Sequence, residues 1–255
     1  MLHAVELGDP AHPTIVLLHG MGAGHQMWQP QLLPLSERYY VVVPDLPGCA
    51  GSISDGPFTL DGATSGVLAL LRAQGRARAH LCGLSDGAMV ALHMSLADPN
   101  RVASLMLSGS PPPYWPPLLR LVPRLLLALP LPWDTFVKHY YLGNLPSSSQ
   151  ETVEAIKGNL RQVGKQGFSD SLKALSTIDL REQLRQITVP TLVVCGSKDG
   201  RGERLTARKL SESLPHAELQ IIAGAGHVWN LERPEQFTRL VLSFVQQVEA
   251  SSIEL

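Results

Sequence analysis

Short apolar runs alternate with stretches of helical periodicity along most of this chain. Runs with so few polar positions are typical of parallel strands buried on both faces of a sheet. They occupy residues 14–18, 39–43, 79–84, 102–108, 191–195 and 219–222, and helical patterns occupy about 60–73, 86–97, 202–213 and 234–248. The alternation predicts an α/β fold with a doubly wound, mostly parallel sheet and right-handed crossovers. Residues 2–7 are expected to add an antiparallel edge strand.

The alternation stops between residues 111 and 185. This segment opens with a proline-rich stretch that contains Tyr114 and Trp115, and it continues with leucine-rich helical patterns. An insertion between two strands of such a sheet is expected to cover the carboxyl ends of the strands, where ligands bind. We predict a core of residues 1–110 and 186–255 with a helical cap of residues 111–185. A peripheral helical decoration is the alternative.

Chain length, net charge and the distribution of apolar residues limit the kinds of binding partner that we expect. The chain has 255 residues, enough for one large domain, and its net charge of −1 gives no electrostatic reason to expect nucleic acid or anionic membrane as a partner. The apolar stretch 118–133 contains two arginines and three prolines and is too broken to span a bilayer as one helix. The first residues lack the features of a signal peptide, which predicts a cytoplasmic protein. We expect a monomer or a weak homodimer.

The cysteines indicate neither a disulfide framework nor a structural zinc site. Cys49, Cys82 and Cys195 are far apart in the sequence and form no C-x-x-C pair. Cys82 and Cys195 lie in apolar runs and are interpreted as small buried hydrophobic residues.

A G-x-S-x-G pentapeptide, Gly83-Leu84-Ser85-Asp86-Gly87, stands between an apolar run and a helical pattern. Strand, sharp turn and helix form the context in which this motif presents its serine as a nucleophile. Glycines are needed on both sides because side chains there would collide with the adjacent strand and helix. The alternative is a glycine-rich turn whose serine only caps the helix.

A serine hydroxyl needs a base, and the base needs an acid to orient it. Asp199 follows a predicted strand, and His227 lies in a glycine-rich loop after the next one. The chain order Ser85, Asp199, His227 is that of the G-x-S-x-G class, and it predicts all three at one edge of the sheet. Asp179 and Asp170 are weaker candidates for the acid, because neither follows a clear strand.

An oxyanion hole needs two N–H donors. We expect one from the backbone of Asp86, directly after the serine. The other is expected from the loop His19-Gly20-Met21-Gly22, with Met21 as the donor. A plain glycine-rich connector is the alternative for this loop.

These motifs together resemble the α/β-hydrolase fold family over the whole chain except the cap. The resemblance is closest to its compact esterase, lactonase and C–C hydrolase branch. It implies Ser85, Asp199 and His227 as the catalytic triad, Met21 and Asp86 as oxyanion donors, and no cofactor or metal. The motifs that carry it are His19-Gly20-Met21-Gly22, Asp45-Leu46-Pro47-Gly48, the Gly83–Gly87 pentapeptide, Gly196-Ser197-Lys198-Asp199 and Gly224-Ala225-Gly226-His227.

Two positions depart from the family pattern. The loop after Asp45 has an insertion where many relatives carry a G-x-G-x-S run, so its shape is open. Asp86 stands where many relatives carry an apolar or amide side chain. A carboxylate there would repel anionic substrates and attract an amine, as in similar enzymes that cleave amino-acid esters. Alternatively, Asp86 only caps its helix, where negative charge is favourable.

The resemblance implies a serine hydrolase that cleaves carboxylic esters through an acyl-enzyme intermediate. The apolar character of Tyr114, Trp115 and residues 125–129 suggests a small to medium hydrophobic substrate, and Trp229 is expected to border the pocket or to lie in the core. A lactonase, a C–C bond hydrolase and an amino-acid ester hydrolase remain alternatives. From another class, a receptor that keeps the triad but binds a small ligand is also an alternative.

Overall fold

The apolar runs form one sheet with the predicted topology. The computed structural model describes residues 1–128, 130, 132–137 and 149–253. Within these residues, seven strands lie in the order β1-β3-β2-β4-β5-β6-β7, and only β1 pairs antiparallel, with β3. The doubly wound, mostly parallel α/β fold with an antiparallel edge strand is therefore confirmed. The strands are β1 (Ala4–Leu7), β2 (Thr14–Leu18), β3 (Tyr40–Pro44), β4 (Ala79–Leu84), β5 (Val102–Ser108), β6 (Thr191–Gly196) and β7 (Ala217–Ile222).

Helices connect the strands and cover both faces of the sheet. Two match their predicted bounds, and the last extends beyond its predicted end at residue 248. The helices are α1 (Gln29–Ser36), α2 (Leu60–Ala73), α3 (Asp86–Ala97), α4 (Val122–Ala128), α5 (Trp133–Phe136), α6 (Gln150–Ser176), α7 (Arg201–Ser213), α8 (Trp229–Glu232) and α9 (Pro234–Ile253). None of the helices in the described ranges is long and apolar enough to cross a membrane.

Burial follows the position of each strand in the sheet. Every residue of β2, β3, β4 and β6 is buried, as expected for strands covered on both faces. The edge strand β7 alternates instead between half-buried and exposed positions over most of its length. An edge strand pairs with only one other strand and is therefore less covered. The sequence of β7, AELQII, accordingly mixes apolar and polar residues.

The segment between β5 and β6 contains helices α4, α5 and α6 and no strand among its described residues. Helix α6 packs against the short 3-10 helix His25–Trp28 with Ile156 and Leu160 fully buried. Its helical geometry is interrupted at Gly164, which has a φ of 63° that favours glycine. Residues 129, 131 and 138–148 of the predicted cap lie outside the described residues. The boundaries of the cap at residues 111 and 185 stay a prediction.

Candidate active site

Ser85 occupies the single-residue turn between β4 and α3. Its φ of 55° and ψ of −119° lie in a region that side chains other than glycine rarely adopt. The Ser85 N–H donates to the carbonyl of Ser108 at the end of β5 (2.8 Å), and the Ser85 carbonyl accepts from the N–H of Ala88 (2.9 Å). Its side chain makes no capping hydrogen bond to α3. The strained turn therefore leaves the half-buried Ser85 with a hydroxyl that α3 does not use.

The glycines of the pentapeptide are required by close approach of the backbone. A Cβ on Gly87 would collide with the carbonyl oxygen of Leu18 in β2, and one on Gly83 would collide with the carbonyl of Gly87. Only glycine allows β4, the turn and α3 to approach β2 this closely. This is the steric reason expected from the sequence.

Asp199 and His227 lie side by side at the carboxyl end of the sheet. Asp199 Oδ1 is 3.1 Å from His227 Nδ1, and the Asp199 side chain is only 4% exposed, so water does not compete strongly for this contact. The ring of His227 lies against Gly109, where a Cβ would be 2.8 Å from His227 Cε1. Gly109 follows Ser108, whose carbonyl holds the Ser85 N–H. The structure thus brings the histidine to the strand end that fixes the serine turn.

The surroundings of His227 favour its protonated form. Burial alone would lower the pKa of the imidazole, but the hydrogen bond and the charge of Asp199 outweigh burial and raise the pKa of His227 above its usual value. The second oxygen of Asp199 faces the Cys195 thiol and the Gly196 N–H, each at 3.4 Å. These contacts hold the carboxylate in place.

Side chains at the end of helix α8 and directly after it hold the loop of His227 in place. The N–H of Gly226 donates to Glu232 (2.9 Å), and the guanidinium of Arg233 donates to the carbonyl of Ala223 (2.8 Å). Neither side chain stands out in the sequence, because the contacts depend on how α8 folds back onto the loop.

The backbone N–H groups of Met21, in the loop after β2, and of Asp86, directly after Ser85, have no acceptor in the described part of the chain. For Asp86 this is expected, because the first N–H groups of a helix lack intrahelical partners. Met21 is buried in the loop after β2, and this loop approaches α3 at Leu18 and His19, which Gly87 nearly touches. The two donors therefore belong to the elements that meet at the serine turn.

The loop of Met21 is held by His19 and by helix α6. His19 is fully buried, its Nδ1 lies 2.8 Å from the carbonyl of Gly20, and its Nε2 accepts from the N–H of Leu46 (2.9 Å). These partners require a neutral ring, and burial lowers the pKa of His19. On helix α6, the amide of Asn159 donates to the carbonyl of Ala23 and to Gln26, both at 2.8 Å. No motif in the sequence indicates this role of Asn159.

Asp86 is a buried carboxyl group without a hydrogen-bond partner for Oδ2 in the described part of the chain. Asp86 is the acidic residue in the first turn of α3, where negative charge is favourable, so its interpretation as only a helix-terminal charge stays an alternative. Burial raises the pKa of Asp86 to about 7, although the nearby positive charge of His227 acts in the opposite direction.

The aromatic residues assigned to a substrate pocket differ in their positions. Trp229 is fully buried, packs against Phe237 with ring centroids 4.5 Å apart, and donates to Ser108 Oγ (2.9 Å). Trp229 therefore lies in the core, the second of the two positions expected for it, and not at the surface of a substrate pocket. Tyr114 is half-buried, with the Arg181 guanidinium 3.7 Å from its ring centre. Trp115 is half-buried, and its indole N–H has no acceptor among the described residues.

The other candidates lie away from this cluster or outside the described residues. Asp179 is exposed and paired with Arg181 (2.7 Å), and Asp170 accepts from Gln166. Leu125 and Leu127 of the predicted apolar lining are 60% and 38% exposed, which places both toward solvent, and Leu129 is not among the described residues.

The fold and the sequence define the family. Residues 15–240 match the model of the alpha/beta hydrolase family, and the chain therefore belongs to that family. Its relatives include enol-lactonases, esterases and C–C bond hydrolases, so the chain is a hydrolase by family.

Three similar proteins illustrate this range. The 3-oxoadipate enol-lactonase 1 of Acinetobacter baylyi is 27% identical over 96% of this chain and 94% of its own length. The pimeloyl-(acyl-carrier protein) methyl ester esterase of Pectobacterium atrosepticum is 28% identical over 91% of this chain and 94% of its own length. A crystal structure of a hydrolase from Pseudomonas aeruginosa PA01 superposes with a TM-score of 0.82 at 29% identity, covering 95% of this chain and 93% of that one.

Proposed function

We propose that this protein is a serine hydrolase that cleaves carboxylic esters through an acyl-enzyme intermediate. Ser85 is the nucleophile, His227 the general base and Asp199 the acid that orients the histidine. The observation that carries the proposal is the Asp199–His227 contact of 3.1 Å at the strand end that fixes the Ser85 turn. A strained turn, a hydroxyl that the helix does not use and an oriented base form the arrangement that activates a serine.

In the first half of the reaction, Ser85 Oγ attacks the ester carbonyl while His227 Nε2 takes the hydroxyl proton. The histidine then gives this proton to the leaving alcohol, and the acyl group stays on Ser85. In the second half, His227 takes a proton from water, the resulting hydroxide attacks the acyl carbonyl, and the acid leaves as the proton returns to Ser85. Asp199 stabilises the imidazolium that forms twice in this cycle, which agrees with the raised pKa of His227.

The negative charge that develops on the carbonyl oxygen needs donors that are already in place. The free backbone N–H groups of Met21 and Asp86 supply them in this proposal. The loop of Met21 is held by His19 and Asn159, so its backbone donor needs little reorganisation during the reaction. Stabilisation of this kind is usually among the largest contributions to the rate, and loss of one donor typically costs about 10²- to 10³-fold in kcat.

The aromatic surface in the predicted cap favours a small to medium hydrophobic substrate. Trp115 contributes an aromatic surface, and its buried indole N–H, which has no acceptor among the described residues, would donate to a polar atom of the substrate. A lactone is a cyclic ester that the same chemistry opens. The similarity to the enol-lactonase supports lactonase activity as a second candidate.

Hydrolysis of amino-acid esters is favoured by a different observation. The unpartnered Oδ2 of Asp86 is buried directly after the nucleophile, where a substrate ammonium would supply the missing hydrogen bonds and a counter-charge. In this variant of the proposal, Asp86 selects the substrate while its backbone N–H still serves the oxyanion.

Steady-state hydrolysis of p-nitrophenyl esters from acetate to decanoate tests the main proposal. The wild type, Ser85→Ala and the matched control Ser251→Ala, which changes an exposed serine, are compared. We expect a chain-length optimum in the wild type and the control, and loss of nearly all activity in Ser85→Ala. Full activity in Ser85→Ala would overturn the proposal.

A second series separates the substrate classes. It contains an α-amino-acyl ester, the same ester without the amine, and a lactone of similar size. A preference for the amine that falls by about tenfold or more in Asp86→Asn assigns the selection to Asp86. A preference that Asp86→Asn leaves unchanged removes Asp86 from substrate selection, and faster turnover of the lactone selects the lactonase.

A further inference from the structure

Three potential metal ligands meet outside the catalytic cluster, at His3, His25 and Asp45. Oδ2 of Asp45 lies 2.7 Å from His3 Nδ1 and 2.9 Å from His25 Nδ1. The three atoms lie within 4.8 Å of one another. These residues come from distant parts of the chain: His3 precedes β1, His25 begins the short 3-10 helix after β2, and Asp45 directly follows β3.

We propose that His3, His25 and Asp45 bind a divalent transition-metal ion of the zinc type. The ligands are the two Nδ1 atoms and one oxygen of Asp45, and water fills the remaining position. Two imidazoles and a carboxylate suit Zn²⁺, Ni²⁺ or Cu²⁺, whereas Mg²⁺ and Ca²⁺ prefer oxygen ligands throughout. The proposed ion takes no part in ester cleavage, so the proposal stands apart from the triad.

The spacing of the donor atoms suits such an ion. Bonds of about 2.0 to 2.1 Å in a tetrahedral site separate neighbouring ligand atoms by about 3.3 Å. The two Nδ1 atoms lie slightly closer than this to Asp45 Oδ2, so small ring rotations make room for the metal. In the free protein each Nδ1 donates its proton to Asp45. As the ion binds, Nδ1 gives up this proton to water, Nε2 takes one from water, and the Nδ1 lone pair of the neutral ring faces the metal.

The carboxylate of Asp45 is fixed before any ion arrives. Its side chain has no exposed surface, Oδ1 accepts from the backbone N–H of His25 (2.7 Å), and Oδ2 accepts from that of Gly51 (3.0 Å). Hydrogen bonds of this kind orient metal-binding carboxylates. Gly51 also makes space for the cluster, because a Cβ there would lie 2.5 to 2.9 Å from atoms of His3.

The exposure of the two histidines and the net charge of the three ligands agree with the proposal. The His3 side chain is 47% exposed, which leaves an entry path and room for water, while that of His25 is 19% exposed. One carboxylate and two neutral imidazoles place a net charge of −1 around the cation. A bound ion would connect three chain segments and thereby stabilise the fold, including the loop that leads from Met21 to His25.

The test measures thermal unfolding of the full chain, without a histidine tag and after treatment with a chelator, as Zn²⁺ is added. Saturating Zn²⁺ is expected to raise the Tm of the wild type by about 5 °C. His3→Gln is expected to abolish the shift, because an amide N–H still donates to Asp45 but glutamine is a poor ligand for zinc. The matched control His216→Gln changes an exposed histidine and is expected to keep the full shift.

A spectroscopic readout makes the test independent of stability. Co²⁺ in a site with four ligands gives visible absorption bands, which are expected in the wild type and absent in His3→Gln and His25→Gln. Because His25→Gln could impair folding, His3→Gln at the half-exposed position decides the result. The proposal is overturned if the wild type shows no Tm shift and no bands, if His3→Gln keeps both, or if Mg²⁺ produces the same shift as Zn²⁺.

Discussion

The Cys195 thiol lies 3.4 Å from Oδ2 of Asp199, on the oxygen opposite the one that faces His227. A fully buried thiol thereby contributes to the orientation of the carboxylate, together with the backbone N–H of Gly196. The sequence identified Cys195 only as a small hydrophobic residue. The structure adds a polar contact to this role.

Removal of this thiol is predicted to lower the activity moderately. Cys195→Ala should reduce kcat by about three- to tenfold, because Asp199 loses a donor that is weaker than a usual hydrogen-bonding group. Cys195→Ser should restore most of the rate, since its hydroxyl donates to the same oxygen. Cys82→Ala removes another buried thiol and is the control for packing. Equal loss of kcat in Cys195→Ala and Cys82→Ala would contradict a positioning role.

The activity is predicted to have an acidic limb governed by His227. Only the neutral imidazole accepts the proton of Ser85, so kcat/KM should fall as the pH drops through the pKa of His227. Asp199 raises this pKa, and the midpoint should therefore lie above the usual histidine value.

The same dependence can be tested at Asp199. Asp199→Asn should move the midpoint to lower pH and reduce kcat by about 10³- to 10⁴-fold, because the tautomer and orientation of the ring are no longer fixed. A pH–rate profile of both proteins checks the prediction. An acidic limb that stays in place in Asp199→Asn would show that another group controls it.

Asp86 is predicted to make stability depend on pH. Burial raises the pKa of its carboxyl from 3.8 to about 7. Between these values the folded protein binds more protons than the unfolded chain, so the free energy of unfolding falls as the pH rises. Each pKa unit corresponds to about 1.4 kcal/mol. Asp86→Asn should therefore gain about 2 to 3 kcal/mol relative to the wild type between pH 5 and pH 7.

Urea unfolding at the two pH values measures this difference. Asp55→Asn, which changes an exposed carboxylate, should show no comparable gain. If Asp86→Asn differs from the wild type by the same amount at both pH values, Asp86 does not titrate in this range.

Trp229 and Trp28 form a matched pair for measuring a buried hydrogen bond. Both are fully buried and pack against Phe237, but only Trp229 donates its indole N–H, to Ser108, whereas that of Trp28 has no acceptor in the described residues. Trp229→Phe should destabilise the fold by about 1 to 3 kcal/mol more than Trp28→Phe, because a buried hydroxyl is left unpaired. Equal destabilisation in denaturant unfolding would show that the hydrogen bond contributes little.

The sequence predicts those parts of the site whose residues are neighbours in the chain or follow parallel strands. The turn at Ser85 could be placed because its glycines, its strand and its helix are neighbours in the chain. Asp199 and His227 could be placed at one edge because the carboxyl ends of parallel strands meet there. Their approach to 3.1 Å agrees with this prediction, whereas their roles in catalysis stay a proposal.

Contacts between distant segments explain what the sequence could not predict. Trp229 reaches Ser108 across 121 residues, and Asn159 reaches Ala23 across 136. No periodicity or motif signals such pairs, because they arise only when the elements pack. Likewise, the lack of a hydrogen-bond partner for Oδ2 of Asp86 among the described residues depends on how its surroundings pack.

A mass measurement of the protein after reaction with a fluorophosphonate tests whether Ser85 is the nucleophile. We expect one adduct, on the peptide that contains Ser85, and none in Ser85→Ala. Loss of the adduct should parallel loss of ester hydrolysis, because both need the same activated hydroxyl. An adduct on another residue, or ester hydrolysis that persists after Ser85 is fully labelled, would contradict the assignment of Ser85 as the nucleophile.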